Sequence, residues 1–196
     1  DKAVRISVTG KVNLILEDGA IWTANGGIGI EDNGVFTVYG QKAGTGTLIA
    51  QNVGKHNSGI GAGKSSGNNA QIILNGGEII STGGEDAAGI GIGINRNKST
   101  SVTITIDGAN VTAAGGTDSH GFGNSAKAAG IGASRVYGNG SDAKYNCVGD
   151  ITIKGGIVEA TGSKASGYGG PGIGGGTNDS NIMISGGTVK AEAGIK

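Results

Sequence analysis

The chain has 196 residues and a formal net charge of zero, from 15 basic and 15 acidic residues, and 44 of its residues are glycine against one proline. Collagen and polyproline structure are therefore excluded, and the sequence has no basic stripe of the kind that a nucleic-acid partner requires. The sequence contains no run of 18 apolar residues, so it predicts no membrane-spanning helix. The single cysteine, Cys147, excludes an internal disulfide and a cysteine metal site, and the sequence assigns it no role.

The glycines belong to an internal repeat with a Gly-Ile-Gly signature. The isoleucines of this signature are Ile28, Ile60, Ile90, Ile131 and Ile173, with a shortened copy at Ile195. Self-similarity at periods of 20–50 residues is typical of solenoids. The last spacing, 22 residues, indicates that one coil of the chain needs about two dozen residues and that longer coils carry insertions.

In chain order, residues 5–8 are predicted to be part of an incomplete coil, or a cap. Each coil then contains a first and a second strand, most of which alternate apolar and polar residues, the pattern of a strand with one buried face. The predicted first strands are 12–16, 35–39, 72–74, 102–106, 151–153 and 182–184. The predicted second strands are 20–24, 46–50, 78–81, 110–113, 157–160 and 188–191. The Gly-Ile-Gly signature marks the third strand of each coil.

These patterns predict an all-β fold, a right-handed parallel β-helix of about six coils with three short strands each and little or no helix. Equivalent residues recur at equivalent positions of the short links between strands. This repetition favours stacking of each strand on the equivalent strand of the next coil, and not β-hairpins. The clearest predicted buried ladder is Ile60, Ile90, Ile131 and Ile173. Residues 1–196 are predicted to be a single domain, and we expect it to be a fragment of a longer multidomain protein.

Polar residues precede several first strands and are predicted to stabilise the corners. They are Asn33, Asn68, Asn69, Asp150, Asp179 and Asn181. Side chains of this type hydrogen-bond to local backbone in turns, and stacked asparagines would form a ladder. The alternative is a calcium site built from these oxygens. The sequence therefore predicts no cofactor, with calcium as the open alternative.

The repeats resemble those of a known group of proteins. Residues 14–20 and 34–41, followed by repeats of the form Ile-Thr-Ile-x-Gly-Gly-x-Val-x-Ala-Thr-Gly and Ala-Ala-Gly-Ile-Gly, are similar to Gly-rich repeats of large secreted and cell-wall proteins of Gram-positive bacteria. The chain also resembles the parallel β-helix fold of polysaccharide lyases, some glycoside hydrolases, and carbohydrate-binding or adhesive modules. The resemblance implies an extracellular or cell-surface location and a glycan ligand. No catalytic motif of a β-helix lyase or hydrolase matches numbered positions here.

Insertions in the longest coils contain the candidate ligand site. These insertions, residues 115–127, 134–149 and 162–170, contain four of the seven aromatic residues. Loops carry function more often than scaffold does, and a tyrosine ring offers a flat apolar face with a polar tip. The predicted sugar platform is Tyr137, Tyr145 and Tyr168, with His120, Asp118 and Asp142 as polar partners. The alternative is that the aromatics hold long loops against the solenoid and that the two aspartates are solvated.

Trp22 and His56 are both predicted to lie on the surface. Trp22 follows Ile21 in a predicted strand, so it is predicted to point outward unless an N-terminal cap covers it, and it is a second candidate contact. His56 lies in a polar loop and is predicted to be a solvated surface histidine.

Carboxylate pairs suited to glycoside hydrolysis are poorly arranged within single coils. Glu31-Asp32 and Glu85-Asp86 are sequence neighbours, and adjacent strand residues point to opposite faces. A pair across coils, such as Glu31 with Asp86, stays open. The leading hypothesis is a non-catalytic, extracellular glycan-binding or adhesive module whose partners are a polysaccharide and other domains of the same polypeptide. The alternatives are a polysaccharide lyase or glycoside hydrolase of the β-helix type and a structural spacer.

Overall fold

A computed structural model describes residues 3–52, 54–63, 68–93, 100–117, 128–134, 147–164, 169–175 and 181–195. Within these ranges the chain is all-β, and every pairing between its strands is parallel. The described residues include no helix that is long and apolar enough to span a membrane.

Sixteen strands are present in the described residues. In chain order they are β1 (Ile6–Val8), β2 (Lys11–Leu16), β3 (Ile21–Ala24), β4 (Ile28–Ile30), β5 (Val35–Gly40), β6 (Thr47–Gln51), β7 (Ile60–Ala62), β8 (Ala70–Leu74), β9 (Glu78–Thr82), β10 (Ile90–Ile92), β11 (Thr100–Ala114), β12 (Ile131–Ala133), β13 (Cys147–Thr161), β14 (Ile173–Gly174), β15 (Ile182–Ile184) and β16 (Thr188–Glu192).

The strands stack into a parallel β-helix, which confirms the predicted fold class. The third strands form a six-stranded sheet in the order β1-β4-β7-β10-β12-β14, and the first and second strands stack in the same coil-by-coil order in a second sheet. In two coils the predicted first and second strands are one continuous strand, β11 or β13. The bend lies at the register shifts after Ile106 and Asp107, where the glycine-containing link was expected to separate two strands.

The isoleucines of the Gly-Ile-Gly signature form one buried column. The column runs in register through Ile6, Ile28, Ile60, Ile90, Ile131 and Ile173. Its members Ile28, Ile60, Ile90 and Ile131 are fully buried, and Ile173 is partly buried against the core. The predicted ladder is therefore confirmed in register, with its last residue less buried than predicted, and it extends by two residues toward the N-terminus. Because Ile6 pairs with Ile28, β1 is a third strand, so residues 5–8 belong to a coil and not to a cap.

The predicted orientation of Trp22 is wrong. Trp22 pairs with Leu48, and Leu48 pairs with Ile79, both of which are fully buried. Trp22 therefore lies in the inward column of the second strands, because side chains in paired positions of stacked strands share a face. It is still 38% exposed, since β3 is an edge strand of its sheet.

Inward apolar side chains are also exposed at the other end of the described coils. Ile182 and Ile184 of β15 are about half exposed, although their partners in β13, Ile151 and Ile153, are buried. The shortened signature copy at Ile195 forms no strand, and this residue is 73% exposed.

A central core residue should contribute much more to stability than an equivalent residue in an edge strand. Ile104 is fully buried between its partners Ile72 and Ile151. We expect Ile104→Ala to lower the free energy of unfolding by about 2–5 kcal/mol, because it removes buried methyl groups and leaves a cavity. The matched change Ile182→Ala, in the same column but 45% exposed, should cost about 1 kcal/mol or less. Urea denaturation of both variants measures the difference, and equal losses would contradict a continuous core.

The polar corner residues form hydrogen bonds between coils, as predicted. The Asn69 side-chain amide donates to Asn33 Oδ1 at 3.4 Å, and Ser101 Oγ donates to Asn69 Oδ1 at 3.0 Å. Asn181 Nδ2 donates to Asp150 Oδ1 at 3.0 Å. Asn33 and Asn69 have positive φ angles of 60° and 55°, a conformation that asparagine tolerates better than most residues. The structural interpretation of this ladder is confirmed for these residues, and Asp179 lies outside the described residues.

Candidate functional site

All six residues of the predicted ligand site lie outside the described residues. They are Asp118, His120, Tyr137, Asp142, Tyr145 and Tyr168. The residues that flank the three insertions are described, and they locate where each insertion leaves and rejoins the solenoid.

The described residues Ala128, which follows the first insertion, and Ser163, at the start of the third, are hydrogen-bonded to each other. The backbone N–H of Ser163, just before residues 165–168, donates to the carbonyl oxygen of Ala128 at 2.9 Å. In return, the N–H of Ala128, just after residues 118–127, donates to Ser163 Oγ at 3.0 Å. Both residues are buried. These two hydrogen bonds hold the point where the chain rejoins the solenoid after residues 118–127 beside the point where it leaves before residues 165–168.

The second insertion leaves from the other end of the same third strand. Residues 135–146 follow Ser134, which comes directly after β12. The six residue steps from Ala128 to Ser134 span at most about 22 Å when fully extended. Ala128 and Ser134, where the first insertion ends and the second begins, are therefore at most about 22 Å apart on either side of β12. Ser163, at the start of the third insertion, is hydrogen-bonded to Ala128 from the neighbouring coil.

The third-strand sheet presents backbone, not side chains, on its outer face. Its outward positions are Gly29, Gly61, Gly91, Gly132 and Gly174, paired in register, with Ser7 at the N-terminal end. We call these five residues the glycine column. From Gly61 onward the glycines have φ angles between 126° and 132°. A Cβ atom added at Gly61, Gly91 or Gly132 would overlap with the carbonyl oxygen of the next glycine in the column.

Arg5 covers the N-terminal part of this outer face. Its guanidinium donates to the carbonyl oxygens of Ser58 at 2.7 Å, Gly61 at 3.0 Å and Ile28 at 3.1 Å. Burial lowers the pKa of Arg5 to about 10, and the nearby Glu31 carboxylate acts in the opposite direction. The side chain therefore stays charged at neutral pH, and it links the coil of β4 to the coil of β7.

His56 is buried, which makes the prediction of a solvated surface histidine wrong. Its Nδ1 atom lies 3.7 Å from Asp86 Oδ2, and the two residues are 8% and 1% exposed. Both have positive φ angles, 67° and 62°. They occupy equivalent positions of successive coils, beside the surface ion pair in which Lys55 Nζ lies 3.0 Å from Glu85 Oε1.

Glu31 and Asp86, the alternative carboxylate pair across coils, do not occupy equivalent positions. Glu31 follows the third strand β4, whereas Asp86 precedes the third strand β10. Asp32, the neighbour of Glu31, accepts a hydrogen bond from the Asn68 N–H at 3.0 Å. Among the described residues, no group of three or more His, Cys, Asp or Glu side chains is arranged to hold a metal ion.

A groove that the sequence analysis missed crosses the outer face of the second strands. Its volume is about 240 Å³. The lining residues are Glu78, Asn110, Val111, Thr112, Ile157 and Glu159, and we call this feature the second-strand groove. The alternation of inward and outward residues along the second strands could have predicted this groove, because every lining residue except Val111 is at an outward, exposed position.

Comparison with known proteins supports the fold and leaves the activity open. A family model described as a beta helix repeat matches residues 104–135, 151–177 and 182–195. These segments cover the last three coils. No curated protein and no solved structure matches the chain.

Proposed function

We propose that the chain is a non-catalytic, extracellular glycan-binding or adhesive module of a bacterial surface or secreted protein. The proposed binding region consists of the three insertions, with Tyr137, Tyr145 and Tyr168 as the aromatic platform. His120, Asp118 and Asp142 are its proposed hydrogen-bonding partners. Other domains of the same polypeptide would then hold the module at the cell surface.

The attachment of the insertions to one part of the solenoid is the observation that supports this proposal most. Ala128 and Ser163 hydrogen-bond to each other across coils, and Ser134 is six residues from Ala128. Residues that are 31 positions apart in the sequence, such as Tyr137 and Tyr168, therefore belong to loops with neighbouring attachment points. A binding platform assembled from separate loops requires this proximity.

The rigidity of the support is the second argument. The insertions leave from buried residues close to the ends of stacked strands, since Ala128, Ser134 and Ser163 are each at most 2% exposed. Binding residues held by a rigid scaffold lose less conformational freedom when a ligand binds. Tyrosine side chains suit sugars because the ring stacks on the apolar face of a pyranose while the hydroxyl group hydrogen-bonds.

A glycan array tests the proposal with wild type and the Tyr137→Ala/Tyr168→Ala variant. We expect the variant to bind at least about tenfold more weakly, which corresponds to about 1.4 kcal/mol. Tyr39→Ala is the matched control, because Tyr39 is 42% exposed on the outer face of the first strand β5, and it should bind like wild type.

Three results would contradict the proposal in different ways. Binding to no glycan on the array would favour a structural spacer. Release of product from a bound polysaccharide would favour a lyase or hydrolase. Equal losses in the Tyr39 variant and the insertion variant would show that the insertions are not the binding region.

A further inference from the structure

We propose that the second-strand groove is a separate binding site for a polysaccharide that carries positively charged amino groups. Glu78, Asn110 and Ile157 are paired positions of three successive coils, and Thr112 pairs with Glu159 two residues further along the strands, on the same face. These five side chains are exposed on one face of a rigid sheet. The inference concerns a different surface from the insertions and shares only the ligand class with the proposed function.

The charge of the groove selects the class of sugar. Glu78 and Glu159 are its two ionisable lining residues. Lys190 is the partner of Glu159 in the strand ladder, and its ammonium group donates to Glu192 at 3.0 Å. Glu192, and to a smaller extent Glu159, raise the pKa of Lys190. Lys190 therefore stays charged, but with Glu192 counted, three carboxylates accompany this one cation, so the surface around the groove keeps a net negative charge. Two carboxylates would repel a polymer of uronic acids and attract one that carries ammonium groups.

The remaining lining residues favour a sugar over a basic peptide. Asn110 supplies an amide and Thr112 a hydroxyl group, both suited to hydrogen bonds with ring hydroxyls. Ile157, 51% exposed, offers an apolar surface beside them. From the strand spacing and the rise per residue, the Cα atoms of Glu78 and Glu159 are about 12 Å apart. An oligosaccharide with an amino group on each unit can contact both carboxylates from an extended conformation.

Glu78 is held in position by a neighbouring coil. Thr47 Oγ1 donates to Glu78 Oε2 at 3.1 Å, and Thr47 pairs with Glu78 in the strand ladder. The other carboxylate oxygen, Oε1, stays available to a ligand. The carboxylate is thus partly oriented before binding, which lowers the cost of ordering it.

The test is binding of a glucosamine oligomer at mildly acidic pH, where its amines are protonated, measured by calorimetry. We expect binding that weakens with added salt and that is at least about fivefold weaker in Glu78→Gln/Glu159→Gln. The charge-matched control, Asp150→Asn/Glu85→Gln, changes two carboxylates away from the groove and should bind like wild type. In a Tyr137→Ala/Tyr168→Ala background the same two glutamine substitutions should cause the same fold loss of binding, which separates this site from the insertions.

The fully N-acetylated oligomer, an oligogalacturonate and an oligolysine complete the comparison. We expect weaker binding of the acetylated oligomer and none of the oligogalacturonate. The proposal is wrong if the glucosamine oligomer does not bind, if the groove variant binds it as wild type does, or if oligolysine binds as tightly. Thermal unfolding of the groove variant should match wild type, because both substituted side chains are exposed.

Discussion

Gly91→Ala is expected to destabilise the protein by about 3–5 kcal/mol or to prevent folding. The φ angle of Gly91 is +126°, which is unfavourable for a residue with a Cβ atom. In addition, the new methyl group would overlap with the backbone carbonyl oxygen of Gly132 in the next coil. That oxygen belongs to a central strand of the stacked sheet, so it cannot move without breaking the ladder. Denaturant unfolding, or the soluble yield when the variant does not fold, measures the effect.

Gly19→Ala is the matched control for the backbone conformation. Gly19 also has a positive φ angle, +77°, but no atom lies within 4 Å of the position that a Cβ would take. This variant should cost only about 1–2 kcal/mol, the penalty of the left-handed conformation itself. If the two variants lost equal stability, the close approach between coils would not be the reason for the glycine column.

Arg5→Ala is the second change with a large expected effect, a loss of about 3–5 kcal/mol in the free energy of unfolding. The change removes the donor for the carbonyl oxygens of Ile28, Ser58 and Gly61 and leaves these oxygens without that partner in a mostly buried location. Urea titration of the variant measures the loss. Lys11→Ala, which removes an exposed cation from β2, the next strand in the chain, should change stability by less than about 0.5 kcal/mol.

Arg5→Lys distinguishes charge from geometry at this position. A lysine ammonium is a compact charge and cannot reproduce the fixed fork of donors of a guanidinium. We therefore expect Arg5→Lys to recover less than half of the stability that Arg5→Ala loses. Full recovery would mean that the charge alone matters.

The pKa of Arg5 is lowered to about 10 in the folded protein, so the unfolded chain binds the proton more tightly. Its contribution is constant near neutral pH and makes folding more favourable only as the pH rises above about 10.

The strand pattern was predictable because the physical constraint repeats in every coil. Each first or second strand must bury one face, and each third strand must place glycine where the next coil approaches. The resulting Gly-Ile-Gly signature marks the register without any knowledge of long-range contacts. The continuous strands β11 and β13 were not predictable, since a glycine-containing link can either end a strand or let it bend.

The wrong prediction of the Trp22 orientation has a specific cause. Ile21 and Trp22 are both large and apolar, so alternation within β3 alone does not decide which faces inward. Comparison between coils decides it, because Ala24, Ala50 and Ala113 occupy the same inward column two residues further on. Counting back two positions from these alanines places Trp22 inward with Leu48.

The candidate site was predictable only in part, because its residues act across coils. The His56–Asp86 contact had a usable signal, since each residue is four positions before a signature isoleucine, Ile60 or Ile90. Arg5 had none. Its acceptors are backbone carbonyl oxygens 23 to 56 residues away, and a carbonyl acceptor leaves no mark in the sequence.

The glycine column also bears on how such a chain can change its length. Each complete coil in the described part of the chain presents the same three strand types to its neighbours, and in such a solenoid each coil contacts chiefly the coils next to it. A tandem duplication in the gene that added about two dozen residues in phase with the Gly-Ile-Gly signature would create one more coil with a ready-made place in the stack. A duplication out of phase would put a side chain into the glycine column. Length can therefore vary in whole coils, while the insertions beside β12 can diversify without disturbing the scaffold.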